Sequence, residues 1–298
     1  MKHILILSIF SLFLVSCEKN PQNDELKLIT TTSFIYDTVQ RIAGDRVKVI
    51  NLISDGQDPH SFEPTPRDIA EVETADIIFV NGFNLEEGLL DIIKSVNGNN
   101  IFSLSDNIVP ISNEEHHESD PHTWMSPLNV IIWTEHITKA LITLKPEDKD
   151  YFTNNKKIYI EELLERHNFI AEELNTILPE NRIMVTDHDS FAYFAREYKF
   201  KIAGTIIPNI STSSDISSKS LIELIETIRM NKTRAIFIGD TSGKDMKELA
   251  QNIESELDYP IRIVTLKTGS LDGNGSEIDS YIKYMKYNVK QIIFGLSE

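Results

Sequence analysis

The feature that most constrains this chain is residues 146–177, a long and highly charged stretch with no glycine and with its only proline at the first position. Phe152, Tyr159, Leu163, Ile170, Leu174 and Ile177 recur at intervals of seven, four and three, so one apolar stripe runs the length of an amphipathic helix whose other face is charged. A helix of about 30 residues extends about 45 Å at 1.5 Å per residue. It is long enough to traverse two lobes as a stiff connector. The competing reading is two ordinary helices with an unrecognised break.

Short β-rich runs alternate with segments of helical period on both sides of this stretch, the pattern of parallel sheets with crossover helices. Before it, strands are expected over residues 26–30, 47–52 and 77–80, with helices over 34–43 and 67–74. After it, strands are expected over 182–186, 202–206, 235–238 and 261–266, with helices over 190–198, 217–230, 244–256 and 279–296. The expected architecture is α/β, two similar lobes with parallel sheets joined by one long backbone helix. The expected domains are a signal peptide at 1–16, a lipidated tether at 17–25, an N-terminal lobe at 26–145, the linking helix at 146–177 and a C-terminal lobe at 178–298.

The N-terminal expectation rests on an apolar run of about twelve residues after Met1-Lys2-His3, too short to span a bilayer as a helix of about 20. It ends in Leu14-Val15-Ser16-Cys17, which resembles the lipobox of bacterial lipoproteins, and a polar stretch suited to a tether follows. Cys17 is the chain's 1 Cys, so disulfides and thiol catalysis are excluded and a lipid anchor outside the cytoplasm is expected. The formal net charge of -17, from 29 Lys+Arg against 46 Asp+Glu, argues against nucleic acid as a partner.

Among the 8 His, three stand at expected strand exits or in matching contexts. His60 and His122 both end an Asp-Pro-His tripeptide, Asp58-Pro59-His60 and Asp120-Pro121-His122, in which proline fixes the chain direction. Asp58 and Asp120 are placed to orient the imidazoles from behind. His188 follows the strand expected to end at Thr186, and strand C-terminal ends are where open α/β sheets place their ligands. Imidazole suits zinc and other first-row ions, and added carboxylate oxygen moves the preference toward manganese. His116 and His117 form a separate cluster beside Glu114, Glu115 and Glu118, read as a solvated loop or a weak cation collector; His136 and His167 are read as structural or solvent-facing. No Walker A sequence and no His-Glu-x-x-His helix is present.

Several ordered segments make the chain similar to the metal-binding receptors of zinc and manganese ABC importers. They are Asp58-Pro59-His60 with Pro64-Thr65-Pro66-Arg67-Asp68, Asp120-Pro121-His122-Thr123-Trp124, the run from His188 to Tyr198, Ile210-Ser211-Thr212-Ser213-Ser214-Asp215, and Asp279-Ser280-Tyr281 with Met285-Lys286-Tyr287-Asn288-Val289. The resemblance implies two α/β lobes on one helix, an ion between them, and His60, His122 and His188 as its ligands. It also implies an ABC permease and its ATPase as partners, with Zn2+ or Mn2+ as cargo. His at the third position is similar to zinc receptors and to members handling both metals. The sequence departs from the pattern at Gly269, where the family carries an Asp as fourth ligand. Water, Asp272 three residues later, and Asp240 remain as replacements, with Asp272 taken as the candidate.

The expected function is a monomeric, lipid-anchored receptor that passes a divalent cation, zinc before manganese, to a permease. Two other classes stand beside it: a surface adhesin to which metal is incidental, and a catalytic protein in which three His and a water form a metal-activated hydroxide.

Overall fold

A computed structural model describes residues 26–112, 118–212 and 216–297 of the chain. The signal-peptide and tether expectations, Cys17, His116 and His117 lie outside the described residues. The N-terminal sheet has four parallel strands, β1 (Lys27–Thr30), β2 (Lys48–Asn51), β3 (Ile77–Val80) and β4 (Ile101–Ser103), in the order β2-β1-β3-β4. The C-terminal sheet repeats that order as β6-β5-β7-β8, from β5 (Ile183–Thr186), β6 (Lys201–Thr205), β7 (Ala235–Gly239) and β8 (Arg262–Leu266), again all parallel. The two lobes are therefore similar α/β units, as their sequence pattern requires.

Helices α1 (Ser33–Ala43), α2 (Pro66–Glu73), α3 (Glu87–Asn97) and α4 (Pro127–Leu144) belong to the first half, and α6 (Ala192–Tyr198), α7 (Ser218–Asn231), α8 (Gly243–Ser255) and α9 (Tyr281–Leu296) to the second. Between them lies α5 (Lys149–Glu173), 25 residues without a break and about 37 Å long. A turn of 3₁₀ helix extends it at each end, Pro146–Asp148 and Leu174–Thr176. The buried residues of α5 are Phe152, Tyr159, Leu163 and Ile170, the stripe read from the sequence. Local chemistry sets the helix starts. Thr65 and Asp68 form a reciprocal capping box around α2, with Pro66 at its first position, which gives the Pro64-Thr65-Pro66-Arg67-Asp68 motif a physical meaning. At the far end of α1, Gly44 adopts φ +56°, and a Cβ there would collide with the Tyr151 hydroxyl at the start of α5.

The main core is continuous across the lobes. Phe34 and Val39 from α1, Trp133 and Ile137 from α4, Leu163 and Ile170 from α5, and Tyr284, Val289 and Ile292 from α9 belong to one buried cluster. Two satellite clusters lie in the individual lobes, one around Ile29, Ile78 and Ile93 and the other around Ile206, Ile228 and Ile253. A row of aromatic rings joins the halves: Phe34 stacks on Trp124 at 5.1 Å and meets Tyr284 edge-on at 4.9 Å. None of the described helices is long and apolar enough to cross a membrane.

Candidate metal centre

Three loops bring His60, His122 and His188 together. His188 leaves the C-terminal end of β5, and Thr186 turns back to donate to its carbonyl at 2.8 Å. His122 opens the 3₁₀ turn Thr123–Met125, which three hydrogen bonds hold from different sides. Asn81 after β3 donates to Pro121 O at 2.8 Å, Asn129 of α4 donates to Thr123 O at 2.9 Å, and the Trp124 indole donates to Thr268 O at 3.1 Å. His60 lies in the loop between β2 and α2, its backbone N–H donating to Asp58 Oδ1 at 3.0 Å.

The three rings converge through their Nε2 atoms. His60 Nε2 is 3.0 Å from His122 Nε2, and His122 Nε2 is 3.3 Å from His188 Nε2. All three candidate donor atoms lie within 4.8 Å of one another. Tetrahedral zinc with nitrogen ligands at about 2.0–2.1 Å places neighbouring ligand atoms about 3.3 Å apart, so the spacing suits a bound cation. A cavity of about 10 Å³, the space of one small particle, lies among the rings and is lined also by Asp58, Pro59, Trp124, Thr241, Thr268 and Gly269. His122 and His188 are buried and His60 half-buried.

Two imidazoles are oriented from behind by carboxylates, in two electrostatic versions. Asp120 Oδ1 is 2.8 Å from His122 Nδ1 and also accepts the His122 backbone N–H at 2.8 Å. Its Oδ2 is buried without a hydrogen-bond partner, and burial pushes the carboxyl up to about 7. Asp187 Oδ1 is 2.9 Å from His188 Nδ1, but its Oδ2 accepts from the Gly239 N–H at 2.7 Å and from the Ser242 hydroxyl. Burial raises this carboxyl too, but the facing His188 ring and those donors outweigh it and leave it at about 2. The imidazoles respond accordingly. Burial and the charge of neighbouring imidazolium hold His60 and His122 below their ordinary 6.5. Burial also lowers His188, but the Asp187 charge and hydrogen bond outweigh it and raise it.

Asp58 does not touch the ring it was expected to orient. It accepts the His60 backbone N–H and a 2.6 Å hydrogen bond from Thr212, so it fixes the loop and ties it to the other lobe. Asp187 directly precedes its His, whereas the Asp-Pro-His tripeptides that mark Asp58 and Asp120 place the acid two residues before, so the repeated motif does not reveal it. Behind the His122 loop, the buried Glu86 accepts from Thr31 and from Asn81 N, both at 2.6 Å. Only the position of Asn81 directly after a strand hinted at this support.

Asp272 is not brought to the imidazoles. Ser270 bonds to the Gly56 N–H at 2.8 Å, and Leu271 is buried with its N–H on Ser33 Oγ at 2.9 Å. The next side chain is thereby turned outward to Lys267 Nζ at 2.6 Å, lining a different cavity with Asp37, Asp55 and Asp279. Asp240 is held by the same ammonium at 2.8 Å. Gly269 does line the three-His cavity. His136 pairs with Asn107 at 2.9 Å and His167 with the Tyr198 hydroxyl at 3.2 Å, both remote from the cavity.

Residues 28–294 match the family described as zinc-uptake complex component A, periplasmic. The chain belongs to this family. The metal ABC transporter substrate-binding lipoprotein SsaB of Streptococcus sanguinis is 31% identical over 308 residues, covering 99% of this chain and 97% of its own. The manganese ABC transporter substrate-binding lipoprotein PsaA of Streptococcus anginosus is 31% identical over 310 residues, covering 99% and 98%. Among solved structures, the periplasmic zinc binding protein TroA from Treponema pallidum superposes with a TM-score of 0.85 at 26% identity, over 92% of this chain and 100% of that one. The Mn-bound periplasmic metal binding protein from Candidatus Liberibacter asiaticus gives 0.80 at 26%, over 91% and 100%. The chain is thus an extracytoplasmic substrate-binding component of a metal ABC importer, a receptor and not an enzyme.

Proposed function

We propose that the chain captures one divalent transition-metal ion, zinc in preference to manganese, through the Nε2 atoms of His60, His122 and His188, and presents it to its permease as a monomer anchored through lipidated Cys17. The observation that carries this reading is the convergence of three Nε2 atoms with two of the rings pinned at Nδ1 by Asp120 and Asp187. Three nitrogen donors favour zinc, whereas manganese favours oxygen. Elemental analysis of protein purified without added metal, followed by zinc and manganese competition in a calorimeter, tests it. Zinc is expected to displace manganese. The single variants His60→Ala, His122→Ala and His188→Ala are each expected to weaken zinc binding, and unchanged affinity in all three would falsify the site.

A further inference from the structure

The three histidines are not held alike. Asp120 and Asp187 pin the rings of His122 and His188 at Nδ1, 2.8 and 2.9 Å away, whereas the carboxylate beside His60 takes its backbone N–H instead of its ring. The position of His60 is therefore that of its loop, residues 52–65 between β2 and α2. Backbone hydrogen bonds hold this loop to its own lobe as far as Ile53, whose N–H donates to Thr31 O at 3.1 Å, and the capping box takes hold again at Thr65. Between those anchors the loop is bonded to the opposite lobe at two points just before His60. The Gly56 N–H donates to Ser270 Oγ at 2.8 Å, and Asp58 Oδ2 accepts the Thr212 hydroxyl at 2.6 Å. The other Asp58 oxygen takes the His60 N–H at 3.0 Å, so Thr212 reaches the ligand through one carboxylate. Both hydroxyls stand on anchored backbone. Ser270 is buried, and the N–H of its neighbour Leu271 is fixed by Ser33 Oγ at 2.9 Å. Asn209 accepts the Asp189 N–H at 3.0 Å on its carbonyl and the Ser211 N–H at 2.9 Å on Oδ1, which ties the Thr212 segment to the one bearing His188.

We infer that Thr212 and Ser270 are positioning residues for metal capture: they strap the His60 loop onto the C-terminal lobe and so set how long the ion is retained. This rests on the three-His reading given above and adds to it what fixes the ligand that lacks a carboxylate behind its ring. Through Thr212 and Asn209 the His60 loop is referred to the segment that carries His188, so the span between these two ligands depends on one hydroxyl-to-carboxylate bond. Hydrogen bonds to a charged acceptor are among the stronger ones, and this one is lost with the hydroxyl. Opening of the cleft breaks both strap bonds and frees the His60 loop, while His122 and His188 keep their own carboxylates.

Dissociation kinetics test the strap. When zinc-loaded protein is mixed rapidly with excess chelator, Thr212→Val, which replaces the hydroxyl by a methyl group, is expected to lose zinc about tenfold faster, and Thr212→Ser to restore the wild-type rate. Ser270→Ala removes the other strap bond and is expected to act in the same direction, which carries the test if Thr212→Val folds poorly. Association rates are expected to stay unchanged in both variants. A double-mutant cycle separates positioning from general loosening. Thr212→Val should lower zinc affinity in the wild-type and His188→Ala backgrounds and have no further effect in His60→Ala, because Thr212 reaches the ion only through His60. Wild-type dissociation rates in both Thr212→Val and Ser270→Ala overturn the inference, as does an equal loss of affinity in the His60→Ala background. Failure of the three-His reading looks different: His60→Ala itself then leaves zinc affinity unchanged.

Discussion

At the residue scale, two aspartates of similar geometry are shifted oppositely, because the His188 ring facing Asp187, helped by donors to its second oxygen, outweighs burial, whereas burial prevails at Asp120. Asp187 has two further donors on its second oxygen, whereas Asp120 has none on Oδ2 and burial pushes its carboxyl up to about 7. Asp187→Asn keeps the shape but removes the charge facing His188, and is expected to lower zinc affinity by about 10–100-fold, measured by chelator competition. Asp272→Asn is expected to leave affinity unchanged in the same assay, since that carboxylate faces Lys267. The pH dependence has a definite sign. Only neutral imidazole binds metal, and His188 alone of the three is raised above 6.5. Zinc affinity should therefore rise with pH until His188 is deprotonated, and fall below that point as a proton competes. Calorimetry in buffers of different ionisation enthalpy should find protons released on zinc binding at pH 6, and fewer as the pH rises. All three histidines were legible in the sequence because strand exits and a repeated tripeptide mark them. The direction of Asp272 was not, because it depends on where Ser270 and Leu271 anchor the backbone against the opposite lobe.

At the level of elements, what could be read followed from amphipathic contrast. Helix α5 has one wet face and one dry face, so its stripe stood out, and no break interrupts it between Lys149 and Glu173. Helix α4 was missed because it is apolar nearly all round: Val130, Trp133, Ile137 and Leu141 are buried, and Ile131 and Ile132 pack partly buried against the same core. Strand β4 was missed because it has only three residues at a sheet edge, too few to show alternation, and its Phe102 is exposed. Helix α3 follows a bend in which Phe83, Asn84 and Glu87 adopt positive φ, a conformation that this sequence does not advertise with glycines at those positions. Leu163 sits fully buried at mid-length in α5, where the core of the two halves meets. Leu163→Ala is expected to cost about 2–5 kcal/mol of stability, read by urea denaturation, through lost burial and the cavity left behind.

At the scale of the whole molecule, the lobes are similar in topology yet not independent. Their shared core, the Trp124 bond to Thr268 and the Tyr281 hydroxyl on Trp124 O at 2.7 Å tie them at the metal-binding level. Loading should thus proceed with small local adjustments, and the radius of gyration measured by small-angle scattering should change little between metal-free and zinc-loaded protein. Because the site joins segments from both halves, zinc should stabilise the fold as a unit, by about 2.7 kcal/mol when free zinc is 100 times Kd. A single cooperative transition that moves upward with zinc in calorimetric melts is the expected record. Trp124 gives the molecule one more property. It is one of 2 Trp, and its ring lies edge-on to His122 at 5.2 Å, while Trp133 is buried in the shared core and absent from the lining of the three-His cavity. A cation that draws electron density from the His122 ring is therefore expected to change the emission of the indole beside it, and Trp124→Phe to remove that change. Occupancy of the three-His cavity should then be readable from the intrinsic fluorescence of unlabelled protein.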